Sequence, residues 1–180
     1  LRDLRFMDTN PKSEDDPLRR ITWLYPDDGC YYRAGLFVDK ARELGFEAPS
    51  RVFVFGNLTV KTNNHPDGEV SWWYHTAPIV RLGSEVFVLD PAIQPQEPLP
   101  IADWILTQVP KLSEVSVSYC SGDTYGPHSA CDPSQLLTSE SVSRSLYFFQ
   151  WEWDRQEDLG RDPEKVLGDE PPWLTPIKKN

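Results

Sequence analysis

Tyr25-Pro26-Asp27-Asp28-Gly29-Cys30-Tyr31-Tyr32-Arg33-Ala34 reads as a turn that delivers a cysteine to the start of a helix. Pro26 and Gly29 punctuate the turn, and Asp28 is placed as an N-cap for the first free backbone N–H groups. Beyond Cys30, the residues Ala34, Phe37, Val38, Ala41 and Leu44 recur at helical spacing, and Gly45 follows as a C-cap. The spacing predicts a helix over residues 29–44 with Cys30 in its first turn, on the core-facing side. The partial positive charge and unpaired N–H donors of a helix N-terminus favour thiolate over thiol and can hold an oxyanion. The alternative role of Cys30 is that of a small core hydrophobe.

A chain of 180 residues fits one domain, 1–180, large enough to bury a core. Hydrophobic residues make up 39%, with seven Trp, seven Tyr and eight Phe, which excludes wholesale disorder. A net charge of −10 disfavours nucleic-acid and anionic-membrane partners, because neither polyanion is attracted. No apolar run reaches about 18 residues, so no transmembrane helix is expected. The polar, charged N-terminus does not read as a signal peptide, as expected also of a mature or trimmed form.

Outward from the cysteine helix, residues 1–20 read as a charged N-terminal arm and 160–180 as an irregular, acidic, Pro-rich tail. Arg51 to Phe55 is a buried strand by composition, broken at Gly56-Asn57 and resumed at Leu58 to Val60. Val70 to Leu82 and Glu85 to Leu89 are two further strands, joined by a two-residue hairpin at Gly83-Ser84. If Leu82 pairs with Glu85, then residues 75, 77, 90 and 92 share a face and His75 and Asp90 become diagonal neighbours within side-chain reach. A three-residue loop would break that pair. Prolines 91, 95, 98 and 100 make a structureless link to a short helix at Ile101 to Leu106, and Val115 to Tyr119 alternates like a strand. A helical region runs over about 133–159, and its aromatic run Tyr147 to Trp153 reads as core packing.

Cys120 and Cys131 lie close in sequence around a Gly/Pro-containing loop, as natural disulfide partners whose closure would contribute roughly 2–3 kcal/mol. Cys30 is then the thiol left over, the kind to flag as reactive. Three reduced cysteines in a cytosolic protein are the alternative. Cys120 and Cys131 have no CxxC partner, so no metal site is expected. There is no Gly-rich phosphate loop, and no cofactor is expected. His65 and His128 sit in polar loops and are expected to face solvent.

Cys30 on a helix start, His75 on a strand and Asp90 at the end of the next form a nucleophile–base–orienter set. Cysteine supplies the nucleophile, histidine carries the proton, and aspartate fixes the histidine tautomer and supports the imidazolium. Each has a structural alternative: a core thiol, a satisfied core histidine, and an aspartate capping a strand end before Pro91.

The motifs Tyr25-Pro26, Asp28-Gly29-Cys30-Tyr31, Arg33-Ala34, Phe53 to Leu58, Trp72, Tyr74-His75, Ala77 and Asp90-Pro91, in that order, resemble bacterial protein-glutaminases over about residues 21–95. That family comprises secreted protein-glutamine deamidases with a transglutaminase-like core. The resemblance implies an α+β fold of transglutaminase/papain type, its cysteine helix packed on an antiparallel sheet. It implies hydrolysis of protein-bound glutamine to glutamate and ammonia by Cys30, His75 and Asp90 through a thioester. Trp72, Trp73 and Tyr74 are expected to wall the site. Asn57 is a candidate substrate contact or, equally, a turn residue with left-handed backbone. The partners implied are proteins or peptides with exposed glutamine, acted on by a secreted monomer whose signal and any pro-segment lie outside this chain. The family's known deamidase is disulfide-rich, whereas this chain can form one bridge. A transglutaminase, a cysteine peptidase, a host-directed effector deamidase and a non-catalytic binding module are the rival readings.

Overall fold

Two long antiparallel strands and the cysteine helix set the frame of the computed structural model. It describes residues 5–6, 19–129, 131 and 139–167, with side-chain surroundings for 21–128, 131 and 147–167. Strands β1 (Arg5–Phe6) and β2 (Arg19–Arg20) pair antiparallel, and the remainder of the expected arm lies outside the described residues. Helix α1 (Cys30–Glu43) is followed by β3 (Ser50–Lys61), β4 (Glu69–Leu82), β5 (Glu85–Val88) and β6 (Leu99–Pro100). Then come α2 (Ile101–Leu106), β7 (Ser116–Cys120), α3 (Ser139–Asp158) and α4 (Pro163–Leu167). The main sheet is fully antiparallel in the order β6-β5-β4-β3-β7, and α1 packs against β4, an α+β arrangement.

Helix α1 starts one residue later than the Asp28 cap implied. Gly29 occupies the N-cap position at φ 84°, without a side-chain cap, and its carbonyl accepts from the amides of Tyr32 and Arg33 at 3.1 and 2.9 Å. Asp28 turns back instead, Oδ1 accepting from the Gly29 amide at 2.6 Å. The turn needs a left-handed residue before the helix, and glycine takes that conformation without a Cβ penalty. At the other end Leu44 is the cap and Gly45 (φ 79°) lies just past it. Its amide bonds to the Arg42 carbonyl, and that of Phe46 to the Ala41 carbonyl, each at 2.9 Å. This crossed pair satisfies two of the carbonyls in the helix's last turn.

Gly56-Asn57 does not end the strand. β3 is continuous, and the register shift between Phe55 and Leu58 sets these two residues opposite Trp73 alone, a bulge. A Cβ on Gly56 would sit 3.0 Å from both the Glu114 carbonyl oxygen and the Val115 side chain, so the bulge is pressed onto the chain before β7. The β4–β5 hairpin has Leu82 opposite Glu85, with Gly83 at φ 63° in its two-residue loop. Past Val88 the backbone still follows β4, since the Leu89 amide donates to the Pro78 carbonyl at 2.9 Å.

Two apolar clusters build the core. One places Val52, Val54, Leu58, Ala77, Ile79 and Val88 of the sheet against Trp104 and Ile105 of α2, and Val109. The other joins Ile21, Trp23, α1 and Leu89 to Phe148 and Phe149 of α3. Phe148, Phe149 and Trp153 are buried as core, whereas Tyr147 and Trp151 of the same aromatic run stay exposed. The Pro-rich link is not structureless: the amides of Ile93 and Gln94 turn back on the Asp90 carbonyl at 3.1 and 2.9 Å, and Leu99–Pro100 adds an edge strand. Proline is tolerated there because an edge leaves one side unpaired. The tail expected to be irregular contains α4, with Leu167 buried, and residues 168–180 lie outside those described. The expected helix start at 133 also lies outside them. No helix among the described residues is long and apolar enough to cross a membrane.

Candidate active site

Cys30 is the first residue of α1 and is buried, at the end where amides have no intrahelical acceptor. Strand β4 brings His75 to it. The hairpin register carries Asp90 to His75, whose Nε2 lies 2.8 Å from Asp90 Oδ2. Both side chains are almost fully buried. With Nε2 engaged, Nδ1 has no hydrogen-bond partner among the described residues, and it is the ring nitrogen left available to a thiol. Cys30 and His75 lie close enough to shift each other's titration, and with the ring charged Nε2 donates to the carboxylate.

The charges couple. Burial pushes the Cys30 thiol up, but a hydrogen bond from His75, the imidazole's charge, the Arg33 guanidinium and the Thr76 amide together hold it below its ordinary value. Burial lowers His75, while the charge and hydrogen bond of Asp90, then those of Cys30, raise it to about 9. Asp90 is raised by burial yet falls on balance below the usual carboxylate range, through His75, a hydrogen bond from Trp104 and the charge of Arg33. All three shifts favour the charged forms, and buried groups that shift one another in this way mark a candidate functional site.

Trp104 and Arg33 complete the arrangement, and neither was singled out for a role in the site from the sequence. Trp104, fully buried, donates its indole N–H to Asp90 Oδ2 at 3.0 Å and stacks against His75 with centroids 5.4 Å apart. It reaches the site only because the link after Asp90 folds α2 back under the sheet. Arg33, also buried, donates to the carbonyls of Tyr25 and Asp28, both at 2.8 Å, and so ties the cysteine turn to the helix. A buried charge needs such partners. Its place in the quoted motif was visible in sequence; its burial was not.

Trp72 stacks on His75 at 4.8 Å and donates its indole N–H to the Pro26 carbonyl at 2.9 Å, bridging the strand to the cysteine turn. Tyr74 is half-buried; burial, the charges of Cys30 and Asp28 and a hydrogen bond with Cys30 raise its hydroxyl. Trp73 is 55% exposed, packing against Phe55 and Tyr74. Asn57 is exposed in the bulge, and its backbone is not left-handed: Cys131 (φ 63°) is the one non-glycine residue with positive φ among those described. Cys120 and Cys131 are joined as a disulfide, and Cys30 is the free cysteine. His65 does not simply face solvent, since Nε2 lies 3.3 Å from Asp27 Oδ1. His128 is exposed but stacks on Trp73 at 5.5 Å. Among the described residues no group of three or more His, Cys, Asp or Glu is placed to hold a metal.

Helix α3 roofs the cysteine turn. Glu152 accepts from the Leu24 amide at 2.8 Å, Arg155 donates to Asp27 at 2.6 Å, and Phe148 stacks on Tyr32 at 5.8 Å.

The sequence profile of the Glutaminase family matches residues 3–108, more than half of the chain. The chain belongs to this glutaminase family. Among solved structures it is similar to a mutant of pro-protein-glutaminase, with 30% identity and TM-score 0.50 over 59% of this chain and 40% of that one. It is also similar to the protein-glutaminase from Chryseobacterium proteolyticum, with 26% identity and TM-score 0.55 over 70% and 69% of the two chains. A further protein-glutaminase shares the fold over 93% of this chain and 83% of its own, with TM-score 0.54 at 23% identity. The glutaminase-family chain thus spans 40% of the length of the pro-protein-glutaminase it matches. No curated protein matches it.

Proposed function

We propose that this chain is a single catalytic domain that deamidates protein-bound glutamine, with Cys30 as nucleophile, His75 as proton carrier and Asp90 as orienter. The observation that carries the reading is the His75–Asp90 bond at 2.8 Å, which leaves the other ring nitrogen for a thiol at a helix start. Membership of a glutaminase family and likeness to protein-glutaminase structures support the substrate class.

The Cys30 thiolate attacks the side-chain amide carbon, and the free amides at the start of α1 donate hydrogen bonds to the developing oxyanion. His75, as imidazolium, gives its proton to the departing nitrogen, so ammonia leaves and a thioester remains. Neutral His75 then takes a proton from water, whose hydroxide adds to the thioester. Collapse releases glutamate and regenerates thiolate and imidazolium. Asp90 stays ionised throughout, holding the ring and supporting its charge. Trp72 packs the ring in place, while Trp73, Tyr74 and Asn57 line the approach for the glutamine. A disulfide fits an oxidising compartment, so the reading extends to a secreted monomer acting on proteins with exposed glutamine.

The test is ammonia release from a glutamine-rich protein such as casein, with mass spectrometry of the product and a Cys30→Ala control. Cys30-dependent ammonia, with the mass gain of amide-to-acid conversion and no new N-termini, is expected. New N-termini would make it a peptidase, and cross-links a transglutaminase. Undiminished ammonia release from the alanine variant would remove the mechanism.

A further inference from the structure

The loop closed by the disulfide is pinned at both ends, and its middle touches Tyr31, next to Cys30 in the chain, and Trp73 of β4. At its root, a Cβ on Gly122 would overlap the Pro49 carbonyl oxygen and lie 2.9 Å from Val38 of α1, so only glycine lets the loop press so closely. The next residue, Asp123, pairs with Arg42 of α1, and the Thr124 amide turns back to the Ser121 carbonyl at 3.0 Å. At the far end Cys131 is tied back to Cys120 at the end of β7. Between these ties the Tyr125 ring meets Tyr31, the residue after the nucleophile, edge-on at 5.1 Å. His128 stacks on the exposed Trp73 at 5.5 Å, and Trp73 in turn packs on Tyr74 at 4.5 Å. Cys30 acts electrostatically on the Tyr74 hydroxyl. The loop therefore touches the residue after Cys30 and, through Trp73, the strand that carries Tyr74 and His75.

We propose that this disulfide-closed loop is the second lip of the entrance to Cys30, and that Tyr125 and His128 are specificity residues on it. The proposal rests on the deamidation reading and deepens it. One lip is Trp73 and Tyr74 of β4 and the other is the loop. Aromatic faces on both sides can cover the methylenes of a neutral glutamine side chain. A charged side chain entering the same slot would shed far more hydration than the neutral amide does. The disulfide holds the second lip at a fixed distance from the first.

Access can be read without any substrate, because Cys30 is the free thiol. The variants are Tyr125→Ala, the exposed-site change His128→Ala, and the double change Cys120→Ser/Cys131→Ser, each checked for folding by circular dichroism. Alkylation of Cys30 is timed with small iodoacetamide and with a bulky aromatic maleimide. Loss of one ring contact should speed the bulky reagent about tenfold and change the small one by less than about twofold. For a short blocked glutamine peptide KM should rise while kcat holds. Unchanged alkylation by both reagents in folded His128→Ala and Tyr125→Ala overturns the proposal. So does equal acceleration of both, which would mean that the loop tunes the thiol and not its access. If the wild type releases no ammonia from any glutamine substrate while the bulky reagent alone accelerates, the deamidation reading falls and the lip stands.

Discussion

Trp104 donates its indole N–H to the same oxygen of Asp90 that holds His75, at 3.0 Å against 2.8 Å for the histidine. The carboxylate is thereby fixed from two directions, and its other oxygen accepts from the Ala92 amide at 3.2 Å. Second partners of this kind orient the group that meets the reacting residue.

Trp104→Phe keeps a buried aromatic ring but removes the donor and leaves a cavity where the rest of the fully buried indole packs. A hydrogen bond to a charged group contributes about 1.5–3 kcal/mol, so with the cavity added stability should fall by at least about 2 kcal/mol in urea unfolding. With Asp90 less firmly held, kcat should drop about tenfold and KM stay near its starting value. A purely structural role would lower stability and leave kcat per folded molecule unchanged.

Gly29 and Phe148 should behave as one unit. Gly29 sits at φ 84°, and three Phe148 ring carbons lie 3.2 Å from where its Cβ would stand. Gly29→Ala therefore meets backbone strain of roughly 1–2 kcal/mol together with a clash of similar size. Phe148→Ala should cost about 3–5 kcal/mol as a core truncation. In the double variant the clash is gone, leaving the backbone strain and the core truncation, so the two effects should be less than additive in a double-mutant cycle. Additivity within error would show that Phe148 does not press on Gly29.

Arg155 binds Asp27 through two nitrogens, at 2.6 and 3.3 Å, and lies over the Tyr25 ring at 5.5 Å. Both charged partners are partly exposed, at 15% and 29%, so screening limits the pair. Arg155→Ala should lower stability by about 1 kcal/mol at low salt, and by less in concentrated salt. Melting temperatures across a salt series check this; a loss independent of salt would assign the effect to packing on Tyr25.

What was legible in the chain was local. Two residues at Gly83-Ser84 fix the parity of the β4–β5 hairpin, and that parity decides that His75 and Asp90 meet. Glycines at 29 and 45 mark the helix ends, although Asp28 shows that a good capping residue yields when the preceding turn needs a left-handed backbone. Gly56-Asn57 carries the composition of a break, yet sheet partners on both sides of β3 carry the strand through it as a bulge. Trp104, Arg33 and Phe148 were not legible as site residues, because their places depend on tertiary folding. A helix folds back under Asp90, a guanidinium is turned inward onto turn carbonyls, and a helix more than a hundred residues downstream roofs the cysteine turn. Nothing in local spacing encodes those contacts.

The pH dependence follows from the directions of the three shifts. In the proposed reaction attack needs thiolate and departure of ammonia needs imidazolium, so the active form on that reading is the ion pair. The Cys30 thiol is held below its ordinary value of 9.0, which moves the acid limb of kcat/KM below that of a free thiol. His75 is raised from 6.5 to about 9, so the alkaline limb should fall near pH 9. Stability carries the same signs. The contribution of His75 is complete below its unfolded value and lost as pH rises through about 9. That of Asp90, whose folded value is depressed, is present above its unfolded 3.8 and lost as pH falls through the folded value. Asp90→Asn removes the charge that raises His75. It should move the alkaline limb to lower pH and cut kcat about a thousandfold or more, because the amide cannot support the imidazolium. An alkaline limb that stays near pH 9 in that variant would mean that Asp90 does not hold the charge on His75.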